Sequence, residues 1–398
     1  MKNMLKKVTI KNFRSNQLTE VRLGPVTVLY GPTSSGKSTL LYSLAVLRNF
    51  VLAPGRQADS LFNLGFMDLG GFEACVFDHD MKKRVEITVD FEISGSAASY
   101  GISFSKTSCK IKQILDNLTM EAEVNLPYGL NQTFPYTYTL GKSELTVNWN
   151  GISCSVVPKI PTAETQQEAQ HFGTLLNSIA ETLKAIDIAP AKRGFCKPSY
   201  VPTQPSLIPT TDEEVASIII NDQHLPGRIS TYAEEILGRD FRTNVTPGTA
   251  TVFFQSTDKK SRIPVLLVNE GFGVNQIIYL LAKMLRVDVQ AVLIEEPEVH
   301  LHPTVLRNFA RALCSFAKEE EKQIILATHS ELFVLAILSA VADNLLAPEE
   351  VRCYLTTKEK KLTSFGEQKV NKDGQVEGGL TSFMEAELED IKRFLSAK

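Results

Sequence analysis

Gly31-Pro32-Thr33-Ser34-Ser35-Gly36-Lys37-Ser38-Thr39 is the stretch that decides the fold. It fits G-x-x-x-x-G-K-[ST], a loop whose backbone N–H groups wrap phosphates. Its surroundings agree with that reading. Val26-Thr27-Val28-Leu29-Tyr30 before it reads as a buried strand, and Leu40 to Leu47 after it reads as a helix. A strand–loop–helix turn aims unpaired N–H groups and the positive end of the helix at one point, which suits a polyphosphate. Lys37 is placed to reach the β- and γ-phosphates of a nucleotide, and the Ser38 hydroxyl to take a Mg²⁺ position.

A phosphate loop needs a metal partner and a group that handles water. Val292-Leu293-Ile294 runs into Glu295-Glu296-Pro297-Glu298 at the end of an apolar strand. Adjacent carboxylates at a strand end face different ways. Glu295 can therefore hold Mg²⁺ while Glu296 orients or deprotonates an attacking water. Further on, Ile324 to Ala327 leads into Thr328-His329-Ser330, which sets His329 just past another buried strand, within reach of a γ-phosphate oxygen. A lone histidine there is more often structural. Its place after a phosphate loop and an acidic strand end is what gives it a catalytic reading.

Together these segments resemble ABC-type ATPases of the SMC, RecF and OLD branch. Ile10-Lys11-Asn12-Phe13-Arg14-Ser15 is similar to the opening segment of that family. Ile294 through Pro303 resembles the acidic strand end and following loop of its stand-alone prokaryotic, AAA-type members, and Ala189-Pro190 with Arg193 resembles their P-x-R segment. The resemblance implies an α/β P-loop NTPase head of ABC type, made from two sequence halves, 1–94 and 249–398, around a mixed α+β insertion at 95–248. It implies ATP and Mg²⁺ as ligands and a homodimer in the ATP-bound state. In such a dimer each ATP lies between one subunit's phosphate loop and a signature loop of its partner. The matching segment here is Asn269 to Gln276, with Gly271, Gly273, Asn275 and Gln276 as the candidate contacts. It departs from the common Leu-Ser-Gly-Gly form. The loop that normally supplies a metal-contacting Gln, here Leu69 to Asp78, contains none; Glu73, Asp78 or water are the candidate substitutes. By the same likeness Arg14 is a candidate phosphate contact, with an ordinary surface arginine as the alternative.

The rest of the chain bounds the function. A charged fraction of 22% and a net charge of −3 in 398 residues describe a globular protein without a global basic field. No apolar run is long enough to span a bilayer, the start lacks a signal-peptide core, and six scattered cysteines form no C-x-x-C pair, so a cytoplasmic setting is expected. Polar strand-like segments and the turn at Asn150-Gly151 mark the insertion. A helix is expected from roughly Thr165 to Ile186, followed by Pro-rich chain to Pro209. From Thr251 onward strands and helices alternate, which argues for a parallel sheet. His300 and His302 lack a third ligand at zinc-site spacing. Phe383 to Leu395 has helical apolar spacing. No long heptad region and no nuclease block are recognised.

Two functional readings follow. In the first, a dimeric ATPase closes its heads on two ATP molecules and passes the motion to DNA or to an effector protein, in DNA repair, chromosome maintenance or phage defence. In the second, a slow ATP-gated scaffold binds and regulates another protein. A small-molecule kinase is disfavoured by Glu295-Glu296-Pro297 and by Thr328-His329-Ser330.

Overall fold

In a computed structural model the described residues are 3–377 and 379–380, and the helix expected over Phe383 to Leu395 lies outside them. The chain divides into two compact units. The first contains Met1–Leu23, Tyr42–Ile186 and Lys358–Ser364; the second contains Gly24–Leu41, Asp187–Thr357 and Phe365–Lys398. These divisions fall at other points than 95 and 248. Position 95 is the turn of a hairpin within one sheet, and residues 187–248 belong to the second unit.

The first unit is built on alternation. Its six-stranded sheet runs Asn16–Arg22, Asn3–Phe13, Val85–Ile93, Ser96–Phe104, Ser108–Leu115, Leu118–Asn125, with every neighbouring pair antiparallel. Val85, Ile87, Val89, Phe91 and Ile93 are buried while the residues between them are not, so one sheet face carries the core. A three-stranded sheet orders Cys154–Pro158, Ser143–Trp149 and Phe134–Leu140. The turn joining its first two strands is closed by Asn150 Oδ1, which accepts from the N–H groups of Ile152 and Ser153. The helix Ala163–Lys184 starts at a capping box between Thr162 and Thr165. Buried Gln113 donates to Leu176 O and accepts from Trp149 Nε1, so neither polar side chain is left unsatisfied in the core.

The second unit carries the sheet that positions the chemistry. Its strand order is Ile186–Ala189, Ala291–Glu295, Gln323–Thr328, Val26–Tyr30, Val351–Glu359, Leu362–Gln368. The pairs Ala291–Glu295 with Gln323–Thr328, Gln323–Thr328 with Val26–Tyr30, and Val26–Tyr30 with Val351–Glu359 are parallel. Every residue of the three strands Ala291–Glu295, Gln323–Thr328 and Val26–Tyr30 is buried, as expected of parallel strands covered on both faces. Each fully buried Val, Leu or Ile there contributes about 1.5–3 kcal/mol of transfer free energy, which fixes the strands and hence the loops at their ends. Helices Phe272–Met284, Pro303–Glu319 and Glu331–Ala342 share one apolar cluster with these strands. Two helices not anticipated from sequence, Asp212–Asn221 and Leu225–Leu237, join the same cluster. Ile263 to Val268 reads as a strand in sequence, but only Pro264–Leu266 is one; Leu267–Asn269 turns as a 3₁₀ helix.

Candidate active site

Register brings the motifs together. Glu295 pairs with Ala327, and Ala327 with Leu29, so the three central strands end at the same level. The phosphate loop, the acids and His329 therefore leave one carboxyl edge of a parallel sheet, the edge at which ligands bind in open α/β folds. The acid-bearing strand is separated from the phosphate-loop strand by Gln323–Thr328.

The loop is shaped for a ligand's backbone-level approach. Gly31 (φ 143°), Ser34 (φ 64°) and Gly36 (φ 103°) all have positive φ. A Cβ on residue 31 would lie 2.3 Å from Thr356 O, so only glycine fits. The Lys37 side chain folds back along the loop, Nζ donating to Gly31 O at 2.9 Å and Pro32 O at 2.8 Å. Burial pulls the Lys37 pKa below its ordinary value, while Glu296 and then Glu298 push it back up. The helix Lys37–Leu52 begins inside the motif. Thr39 N donates to Gly36 O and Ser35 N to Pro32 O.

The acids are held by their own main chain. Glu296 has φ 43°, an unusual value for a residue with a side chain, and its N–H donates to Ala327 O at 2.8 Å. Buried Arg193 grips this corner: Nη1 donates to Pro190 O and to Glu295 O, at 2.8 and 2.7 Å, and Nη2 to Glu296 O at 2.9 Å. Burial pushes the Arg193 guanidinium down to about 10, opposed first by Glu298. Glu295 is 5% exposed, whereas the Glu296 side chain is 43% exposed and can meet solvent. His329 Nδ1 lies 3.2 Å from Glu298 Oε1 and 3.6 Å from Glu296 Oε1. Thr328 Oγ1 accepts from Ser330 N, and Ser330 Oγ accepts from Phe333 N to cap Glu331–Ala342.

The signature-like segment has a different character. Asn275 Oδ1 accepts from Phe195 N at 2.6 Å, and Nδ2 donates to Phe195 O and to Leu267 O. Asn275 and Gln276 are 6% and 3% exposed. The Asn275 side chain is committed inside the chain, Gln276 is buried with its Oε1 lacking a hydrogen-bond partner among the described residues, and the two glycines remain as the open candidate positions. Gly271 is the N-cap of Phe272–Met284, and a Cβ on Gly273 would come 2.7 Å from His300 O. The His300 ring lies 5.4 Å from that of Phe272, and His302 Nδ1 accepts from Thr304 N in front of Pro303 at helix position N1. Both histidines thus have structural roles in the loop.

The candidate site residues belong to the second unit, except Arg14, Glu73 and Asp78. Arg14 is in the first, with φ 51° and its guanidinium 5.4 Å from the Tyr42 ring centroid. It lines a concavity with Ser15, Lys358, Lys360 and Lys361. Asp78 there is bound by Lys361 at 2.6 Å, which holds its carboxyl below the usual range. Glu73 is exposed. Among the described residues no three His, Cys, Asp or Glu side chains converge to hold a metal unaided. The Ser38 hydroxyl and Glu295 carboxylate are hard oxygen donors of the kind Mg²⁺ takes alongside phosphate oxygens and water. Two side-chain partnerships are not legible in the sequence: that of Glu298 with the His329 backbone and that of Asn275 with the Phe195 backbone.

A family model described as "AAA ATPase domain" matches residues 4–334. The chain belongs to the AAA ATPase domain family. That match agrees with the parallel sheet and phosphate loop, the α/β P-loop fold that the motifs implied. It is 25% identical over 351 residues to an OLD nuclease of Thermus scotoductus, an alignment covering 83% of this AAA ATPase-domain chain but only 60% of that relative. Among solved structures it is similar to the SMC head domain from Thermotoga maritima, at 12% identity and a TM-score of 0.45, covering 91% of this chain and 98% of that one. It is also similar to an SMC head with an extended coiled coil bound to the C-terminal domain of ScpA, derived from Pyrococcus furiosus. There the identity is 11% and the TM-score 0.47, covering 98% and 100% of the two chains. Among the described residues no helix is long and apolar enough to cross a membrane.

Proposed function

We propose that this chain binds ATP with Mg²⁺ at the carboxyl edge of its parallel sheet and hydrolyses it to ADP and phosphate. The observation that carries the reading is the shared level of Leu29, Ala327 and Glu295, which puts loop, acids and histidine at one edge. The N–H groups of Thr33 to Thr39 and the Lys37 ammonium hold the triphosphate. Ser38 and Glu295 would hold Mg²⁺, whose charge would offset that building up on the phosphoryl oxygens. Glu296, exposed beside the buried Glu295, takes a proton from the attacking water, and His329 contacts the γ-phosphate. Arg193 keeps the Glu295–Glu296 main chain in place.

ATP then serves as a bridge in a homodimer, contacted by one subunit's loop and by Gly271 and Gly273 of the other. Closure and opening act on DNA or on an effector protein, in repair, chromosome maintenance or defence. The first test is ATP turnover and dimer formation, each with and without duplex DNA across salt concentrations. Turnover that rises with DNA and falls with salt supports a DNA-handling role; no turnover at all contradicts the hydrolytic reading.

One observation favours the second reading, a slow ATP-gated scaffold for a partner protein. Asn275 and Gln276 are buried in their own subunit, so the signature-like segment offers a neighbour's phosphate mainly backbone N–H groups. Low basal turnover with tight ATP-dependent complex formation would distinguish it.

A further inference from the structure

Glu298 lies three residues beyond the acidic pair and was assigned no part in the chemistry above. It is 9% exposed. Its Oε1 accepts from the His329 backbone N–H at 2.9 Å and also lies 3.2 Å from the ring nitrogen Nδ1 of the same residue. One carboxylate oxygen therefore holds the main chain of His329 and lies against its ring. Its other oxygen, Oε2, is buried with no hydrogen-bond partner among the described residues. A buried carboxylate with one oxygen unsatisfied is costly, so the arrangement calls for a reason beyond packing. The turn that delivers it is also strained at both flanks, with positive φ at Glu296 and His300.

An ionised carboxylate can only accept hydrogen bonds. A neutral imidazole with its lone pair on Nδ1 would place two acceptors 3.2 Å apart. With the proton on Nδ1 the contact becomes attractive, and Glu296 Oε1, 3.6 Å from the same nitrogen, favours the same choice. The opposite ring nitrogen, Nε2, is then the one left to face a ligand. We propose that Glu298 is a positioning residue which holds His329 with its proton on Nδ1, so that Nε2 is the nitrogen presented to the reacting phosphate. This rests on the ATPase reading for its consequence, though not for its geometry.

The experiment has two arms. Nitrogen-15 NMR of histidine-labelled protein, with the His329 signal assigned by its loss in His329→Ala, should find the Nδ1–H form in the nucleotide-free wild type and a mixture in Glu298→Ala. A wild-type ring protonated on Nε2 alone overturns the proposal. In the kinetic arm, Glu298→Ala should lower kcat by roughly 10- to 100-fold with KM within about twofold. Glu298→Gln, which keeps an acceptor oxygen in a similar shape, should recover most of that loss while folding normally. In a His329→Ala background the same Glu298→Ala change should cost less than about twofold more. Equal losses in both backgrounds would mean that Glu298 does not act through the histidine. If the wild type turns over no ATP, the ATPase reading fails and the NMR arm alone decides the positioning role.

Discussion

Two glycine-bearing loops of the second unit, at 31–39 and at 269–276, each precede a helix and each look like anion sites in sequence. They differ in where their polar groups go. In the first, positive φ at Gly31, Ser34 and Gly36 curls the backbone, and Lys37 donates to loop carbonyls that it can exchange for phosphate oxygens. In the second, the Asn275 amide makes three hydrogen bonds to Phe195 and Leu267 backbone and Gln276 is buried. A helix start binds anions only when the side chains around it leave the backbone accessible and add charge. The first loop meets both conditions within one subunit. The second offers backbone at Gly271 and Gly273, and its Asn275 side chain serves the fold.

That contrast can be broken in order of expected effect. Lys37→Ala should weaken ATP binding by roughly 100-fold or more, because two or more charge-assisted hydrogen bonds are lost together; an unchanged affinity in a fluorescent-nucleotide titration would remove the first loop's assignment. Glu296→Gln should leave binding intact, cut turnover by roughly 100- to 1,000-fold and accumulate the ATP-bound dimer on gel filtration. Unchanged turnover would transfer the water-handling role elsewhere. Gly31→Ala should cost more than about 2 kcal/mol in urea denaturation and impair nucleotide binding, since its Cβ meets Thr356 O at 2.3 Å.

The second loop should respond in the opposite sense. Asn275→Ala is expected to destabilise the protein by about 1–3 kcal/mol, leaving buried backbone groups of Phe195 unpaired, while ATP affinity per subunit stays within about threefold. A normal melting temperature with lost ATP-dependent dimerisation would instead make Asn275 a ligand.

The smallest effect concerns pH. Burial lowers the free-state pKa of Lys37 from 10.5, and bound phosphates would raise it again. Protons are then taken up on binding in the window just below 10.5, so ATP affinity should decline as pH rises into it. The Lys37→Ala variant should lack that decline in the same titration.

The first loop was legible because its demands are local. A phosphate cradle requires particular backbone shapes, and few residue types supply them at that spacing. The three central strands were legible for a related reason: full burial leaves unbroken apolar runs such as Ile324-Ile325-Leu326. The division into units was not legible, because the strands 85–93 and 96–104 pair across a turn at Gly95 that looks from sequence like a domain boundary. Nor was the commitment of Asn275, whose partner Phe195 is distant in sequence. Glu298 escaped for the same reason: its function depends on meeting His329, and only the register of the strands at 291–295 and 323–328 brings them together.

The most direct test is a crystal structure with a non-hydrolysable ATP analogue and Mg²⁺. The β- and γ-phosphates should lie within hydrogen-bond distance of Lys37 Nζ and of the loop N–H groups, with the metal between Ser38 and Glu295. Nucleotide bound away from the loop at 31–39, or a metal with neither of those ligands, would contradict that placement.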